Sequence, residues 1–259
     1  MNPAPPLTTY EPRVERPTKR TRGRLFYTGA AALVLVLMLL GFHRYYLRGK
    51  TAAGGDVPEP MRIPVILHGS VMTAWVVLCL VQPALVAGRR RRLHMAVGRF
   101  GAVLAVGVVV LGAWVAILAA SLGRPEGGFA GLSTKAFDML SVSFVVMFGV
   151  FVAIAVYYRR RPEIHRPMML MGTLIIIPAA VDRFDPLYRL YGGTVMEQAL
   201  GPHLSAFLIA TLLLVVNWLV TRSFDRWFAV AYGSMVASCL LVWRLANTDA
   251  WERLATQLL

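Results

Sequence analysis

Apolar and polar residues fall along this chain in long blocks rather than in a two-residue alternation. Seven apolar runs of 18 residues or more, at 25–47, 63–88, 95–121, 136–158, 166–183, 203–221 and 227–246, are separated by polar stretches. A bilayer core of ~30 Å needs about 20 apolar residues per helix, and a backbone in lipid must satisfy its own hydrogen bonds. The pattern therefore predicts an all-α, polytopic transmembrane bundle of seven helices over residues 25–246. Within the fifth run, Pro167 falls in the first turn, where its missing N–H is harmless. Pro178 falls deep in the run, and the carbonyl it frees needs another partner.

The segments flanking the bundle read differently. Residues 1–24 are rich in proline and end in a basic cluster, which predicts a disordered basic tail. The apolar run that follows has no small-residue cleavage site, so it reads as a retained anchor rather than a signal peptide. After Asn247 the chain reads NTDAWERLATQLL. Asp249 and Glu252 are spaced like a capping pair, and Trp251, Leu254 and Leu258 recur on one helical face, so residues 247–259 predict a short amphipathic helix on the outer surface.

Charge sets an orientation. With the N-terminus inside, the inner segments and the first turn of helix three hold 17 of the 27 Lys and Arg, while nine of the 13 acids fall outside. Short arginine-rich loops favour the cytoplasmic side, so the expected topology is N-terminus in the cytoplasm and C-terminus outside, in a plasma (inner) membrane. Anionic lipids at the cytoplasmic face are the expected partners of these arginines. The +14 formal charge does not predict nucleic-acid binding, because the GRRRRLH run lacks interleaved aromatic residues. Cys79 and Cys239 each lie in an apolar run without a CxxC neighbour and read as small hydrophobes.

The ionisable residues sort by depth into two layers about an apolar middle. His43, His68, Asp138, Arg183 and His203 fall at the outer side; His94 and His165 fall at the inner side. Buried ionisable groups are costly in a membrane and usually face the bundle interior. On helix two, His68, Trp75, Cys79 and Gln82 recur at helical spacing and share one face, which points His68 inward. On helix five, His165 and Arg183 are five whole turns apart, so an unbroken helix would join the two layers along one face. His68 and His203, with His43 as a third candidate, are the expected ligands of haem b or copper, since imidazole suits both. Asp138 and Arg183 are the expected neighbouring groups, Asp138 also as a helix cap and Arg183 paired to a carboxylate or an anionic ligand. No CxxCH, HExxH, GxSxG or Walker loop is present, so the sequence names no reaction.

The pattern HGxxxTxW…Q…LV…R…LHxxxGR over His68 to Arg99 resembles a group of small, functionally uncharacterised bacterial multipass membrane proteins. FHRYYL at the end of helix one, IHRPMMLMGT opening helix five and the terminal DAW extend the likeness over most of the chain beyond residue 40. That resemblance implies an integral membrane protein. A more distant similarity, to cytochrome-b-type membrane reductases, implies haem held between helices by paired histidines. The implied pairs are His68 with His203 or His43 outside, and His94 with His165 inside. Two functions stay open: a redox or metal-handling membrane protein, or a non-enzymatic membrane component, either an assembly subunit with a protein partner in the membrane or a small transporter.

Overall fold

The structure, a computed structural model, describes residues 19–51, 54–122 and 133–258. Residues 1–18, and most of the stretch between the third and fourth apolar runs, lie outside the described residues. The described residues form helices and no strand: α1 (Lys19–Gly41), α2 (His43–Arg48), α3 (Glu59–Ala87), α4 (Arg91–Ser121), α5 (Thr134–Tyr157), α6 (Pro162–Leu174), α7 (Pro178–Val181), α8 (Asp185–Tyr188), α9 (Val195–Leu200), α10 (Leu204–Thr221), α11 (Arg226–Ala246) and α12 (Asp249–Leu258). Seven spans are long and apolar enough to cross a membrane, with α6–α7 and α9–α10 each counting as one. The chain is thus a seven-helix polytopic bundle, as its apolar runs predict.

Helix ends differ from the hydrophobic pattern where local chemistry intervenes. α1 begins at Lys19, inside the stretch expected to be a tail. It stops at Gly41, and the aromatic FHRYYL segment continues as the separate α2. The stop coincides with a close crossing: a Cβ at Gly41 would sit on the backbone of Ala180, 2.7 Å from its Cα. The fifth span is broken. α6 ends at Leu174, a turn follows, and Pro178 takes the first position of α7, where it has no N–H to lose. The Leu174 carbonyl, four residues before Pro178, accepts instead from Ile177 N–H at 3.1 Å. The break destroys the five-turn register between His165 and Arg183, so no single face joins the two layers.

Other caps are also placed by side-chain chemistry. Ser133 caps α5, its Oγ accepting from Ala136 N–H at 3.2 Å. Asp138, expected as a cap, lies one turn further in and is buried. Thr194 and Glu197 form a capping box that starts the sixth span eight residues before the apolar run does. Thr248 receives Trp251 N–H at 3.2 Å, so it rather than Asp249 caps α12. α12 docks on the start of α5: Trp251 Nε1 donates to the Lys135 carbonyl at 2.9 Å, and Lys135 Nζ to Thr256 Oγ1 at 2.6 Å. Its packed face centres on Trp251 and Ala255, while Leu254 is turned out.

Consecutive spans pack along their lengths, α1 on α3, α3 on α4, α4 on α5 and α5 on α6. The fifth span is the centre: α6 touches α1, α5, α10 and α11, and it is far more enclosed than any other span. Phe148, Met171, Leu174, Ile175, Phe228 and Met235 fill the core around it. Burying such side chains contributes roughly 1.5–3 kcal/mol each in water. In lipid the gain comes instead from close van der Waals contact between helices.

Candidate functional site: buried histidines in two layers

The bundle has an arginine end, carrying Arg89–Arg92, Arg159–Arg161 and Arg222, and an α12 end, carrying α2, α8 and α9. The inward stripe of α3 is as the spacing predicts. Trp75 is buried and packs edge-to-face on Phe148, with ring centroids 5.0 Å apart. Its Nε1 donates to Thr173 Oγ1 at 3.3 Å, and Cys79 Sγ lies 3.5 Å from the same hydroxyl. Thr173 in turn donates to the Met169 carbonyl at 3.0 Å, so the apolar middle contains one tied polar knot. Cys239 is fully buried and Cys79 partly so, both as free thiols.

The five histidines divide by what their ring nitrogens meet. Three are engaged. His43 Nδ1 donates to the Leu40 carbonyl at 2.6 Å, and its ring stands edge-on to Phe184. His165 Nδ1 donates to the Ala155 carbonyl at 2.8 Å. Gln82 bridges α3 to α4, its side-chain amide lying against His94 Nδ1 and Gly98 N–H. One ring nitrogen of each histidine of the implied inner pair, His94 and His165, is thus met by protein. His94, His165 and Arg166 lie within electrostatic reach of one another at the arginine end.

The other two histidines are not engaged. His203 is 0% exposed, and neither of its nitrogens has a hydrogen-bond partner. Its ring is enclosed by Phe144, at a 5.0 Å centroid distance, and Phe207, at 6.1 Å. His203 precedes α10, yet its side chain makes no capping bond. His68 Nδ1 is likewise buried and without a partner. The His68 ring reaches the α4–α5 contact: a Cβ at Gly112 would lie 3.4 Å from His68 Cε1 and 3.0 Å from Val145 Cγ2. Such nitrogens in an enclosed site call for an explanation, since buried polar groups are otherwise almost always bonded.

Asp138 is buried and engaged. Arg183 is exposed; its Nη1 donates to the Ala179 carbonyl, and its guanidinium lies 5.4 Å from the Phe42 ring centroid. Among the described residues no three of His, Cys, Asp and Glu gather as a metal would require, so His43 does not complete a set with His68 and His203.

A further polar centre lies where α7 meets α9 and α10. Asp182 accepts from the Tyr191 hydroxyl. Burial pushes its carboxyl up to about 6, with nearby Glu197 adding to the rise and Tyr191, Ser205 and Arg183 opposing it. Burial and the neighbouring Glu197 push the Tyr188 phenol up to about 12. Sequence spacing did not single out Ser205, Thr173 or Glu197 as site residues. Serine and threonine in apolar runs give no periodic signal; the T-x-x-E capping box at Thr194 was the one visible clue to Glu197.

No family model, curated protein sequence or solved structure matches this chain.

Proposed function

We propose that this multipass membrane protein holds a redox cofactor, haem b, between His68 and His203 in the outer half of the bundle. The observation that carries the reading is three buried imidazole nitrogens without a protein partner, both of the fully buried His203 and Nδ1 of the half-buried His68. The residues present suit the group. His68 and His203 would hold the group through two neutral imidazoles, whereas copper or zinc held by protein alone favours three or more donors. Phe144 and Phe207, which pack on His203, supply aromatic surface of the kind a macrocycle packs against. Bound haem supplies one-electron carriage. The chain's own part is to carry His68 on α3 and His203 at the head of α10, and to separate the site from the arginine end by the apolar middle.

Orientation belongs to the same reading. The arginine end faces the cytoplasm against anionic lipid, and the α12 end faces outward, a reading supported by the uneven division of Lys and Arg. The test is spectroscopic. Protein purified from haem-replete cells shows a Soret band with redox-sensitive α and β bands, and His68→Ala or His203→Ala removes it. A colourless wild-type preparation overturns the reading.

One observation favours the rival role of a non-enzymatic membrane subunit: the His203 ring is closed in by Phe144 and Phe207, as a packing residue would be. In that case a fixed protein partner co-purifies and no chromophore does.

A further inference from the structure

A histidine that ligates a metal almost always donates its second ring nitrogen to a carbonyl, a carboxylate or water, and that bond fixes the plane of the ring. His68 has no such bond, because its Nδ1 is buried and without a partner. Packing must therefore hold the ring in its orientation. His68 is carried on α3, and the side of the ring that bears Nδ1 meets α4.

The buried positions of α4 are Gly101, Ala105, Val108, Gly112, Ala116 and Ala119, a stripe at helical spacing on a helix that packs against both α3 and α5. Glycine is a poorer helix former than the alanine that serves elsewhere on this stripe, so each glycine calls for a reason. At Gly101 the reason is an aliphatic side chain: an added Cβ would lie 2.7 Å from Leu78 Cδ2. At Gly112 it is the imidazole and its support. A Cβ there would lie 3.0 Å from Val145 Cγ2, 3.4 Å from His68 Cε1 and 3.7 Å from His68 Nδ1. The ring thus sets its Nδ1–Cε1 edge against bare α4 backbone, beside the Val145 methyl. Nδ1 is the nitrogen nearer to α4, which leaves Nε2 as the one to offer to a ligand.

We propose that Gly112 is a positioning residue for His68: the missing side chain leaves a seat on α4 for the Nδ1–Cε1 edge, Val145 closes one side of it, and Nε2 is turned to the ligand. This rests on the reading of His68 as a cofactor ligand and deepens it. The seat takes the place of the hydrogen bond that Nδ1 lacks. It also makes residue 112 sensitive to size, since a side chain there meets the ring and Val145 before anything else. Gly107, on the same helix, is the contrast. A Cβ there would make only an ordinary contact, 3.5 Å from Val71 Cγ1, and would meet no histidine.

The full-length, haem-free protein in nanodiscs is treated with diethyl pyrocarbonate, and carbethoxylation of each histidine is followed by mass spectrometry. His43, on the separate helix α2, is the internal reference. Gly112→Val drives the His68 ring off its rotamer and changes its rate relative to His43 by about threefold or more. Gly107→Ala leaves that ratio unchanged. In a second arm haem is titrated and followed at the Soret band. Gly112→Val weakens binding by about tenfold or more, as loss of a group that orients a metal ligand does, and Gly107→Ala does not. Should Gly112→Val fail to fold, Gly112→Ala in a Val145→Ala background sets a methyl against the ring and removes the methyl it would strike; the ratio still shifts. An unchanged ratio in whichever variant folds overturns the proposal. So does an equal change at His68 and His43, which marks a loosened bundle rather than a displaced ring. A wild-type protein that binds no haem, but whose His68 ratio responds to residue 112, refutes the haem reading and supports the seat; haem binding with an unresponsive ratio does the reverse.

Discussion

Replacing His203 by leucine tests the argument about the unbonded ring in two directions. A neutral imidazole carries one donor and one acceptor, and here both are enclosed and without a partner. Each unsatisfied buried group costs about 1–3 kcal/mol. The lower end applies within a membrane, because the membrane-embedded unfolded state also lacks water. Leucine has no polar atom and a volume near that of histidine, so it keeps most of the contact with Phe144 and Phe207. The shape change costs about 1 kcal/mol against this gain. In protein made without haem, His203→Leu should therefore be more stable than the wild type by about 1–2 kcal/mol, read by equilibrium unfolding in mixed micelles. In haem-replete protein the order reverses, because the wild type alone gains the binding free energy of the cofactor. If the haem-free leucine variant is instead less stable by more than about 1 kcal/mol, the ring makes a bond that holds the bundle together, and the reasoning fails. If the wild-type protein gains no stability and no colour from haem, the ring is a packing residue that carries a polar penalty.

Four other outcomes follow from the geometry. Gly41→Ala should cost about 3 kcal/mol in thermal unfolding by forcing α1 off α7, whereas Gly29→Ala, with nothing within 4 Å of its added Cβ, should be neutral or stabilising. Thr173→Val removes the acceptor of the Trp75 indole and should cost about 1–2 kcal/mol with a change in tryptophan emission, while Thr173→Ser should restore both. The folded Asp182 carboxyl, raised from 3.8 to about 6, holds its proton more tightly than the unfolded one. Its contribution is therefore greatest below about pH 4 and falls by up to about 3 kcal/mol as pH rises through 6; hydrogen exchange over residues 182–197 should slow on acidification, and Asp182→Asn should flatten the response. For topology, a membrane-impermeant maleimide should label Val195→Cys in intact cells and Phe224→Cys only after lysis, both in a background lacking Cys79 and Cys239; the opposite pattern would invert the assignment of sides.

How far such a chain can be read without coordinates depends on which force sets each feature. The seven spans were legible because bilayer thickness demands long apolar runs, and nothing else in the chain competes with that signal. The breaks were not, because they are tertiary. FHRYYL continues an apolar run, and α1 stops before it where Gly41 crosses Ala180, a residue far away in sequence. Pro178 marked a kink, but whether the helix would bend or stop depended on the Leu174 carbonyl finding Ile177 N–H. The inward face of α3 was legible from spacing, since Trp75, Cys79 and Gln82 each recur on the stripe that meets α4 and α6.

The condition of each histidine follows from where backbone acceptors remain available. Inside a helix every carbonyl is taken by the amide four residues on, whereas the last turn leaves several carbonyls open. His43 takes the Leu40 carbonyl at the end of α1, and His165 takes the Ala155 carbonyl at the end of α5. His94, at the start of α4, is met by the Gln82 amide from the last turns of α3. His68 lies more than two turns inside α3, where no such carbonyl is left. His203 sits at the head of α10, where exposed groups are amide donors, but the aromatic rings of Phe144 and Phe207 fill the space around it. Both nitrogens of His203 and Nδ1 of His68 are thus left without a protein partner, and that is why the search for what this protein binds begins at these two rings rather than at the more conspicuous histidines beside the arginine runs.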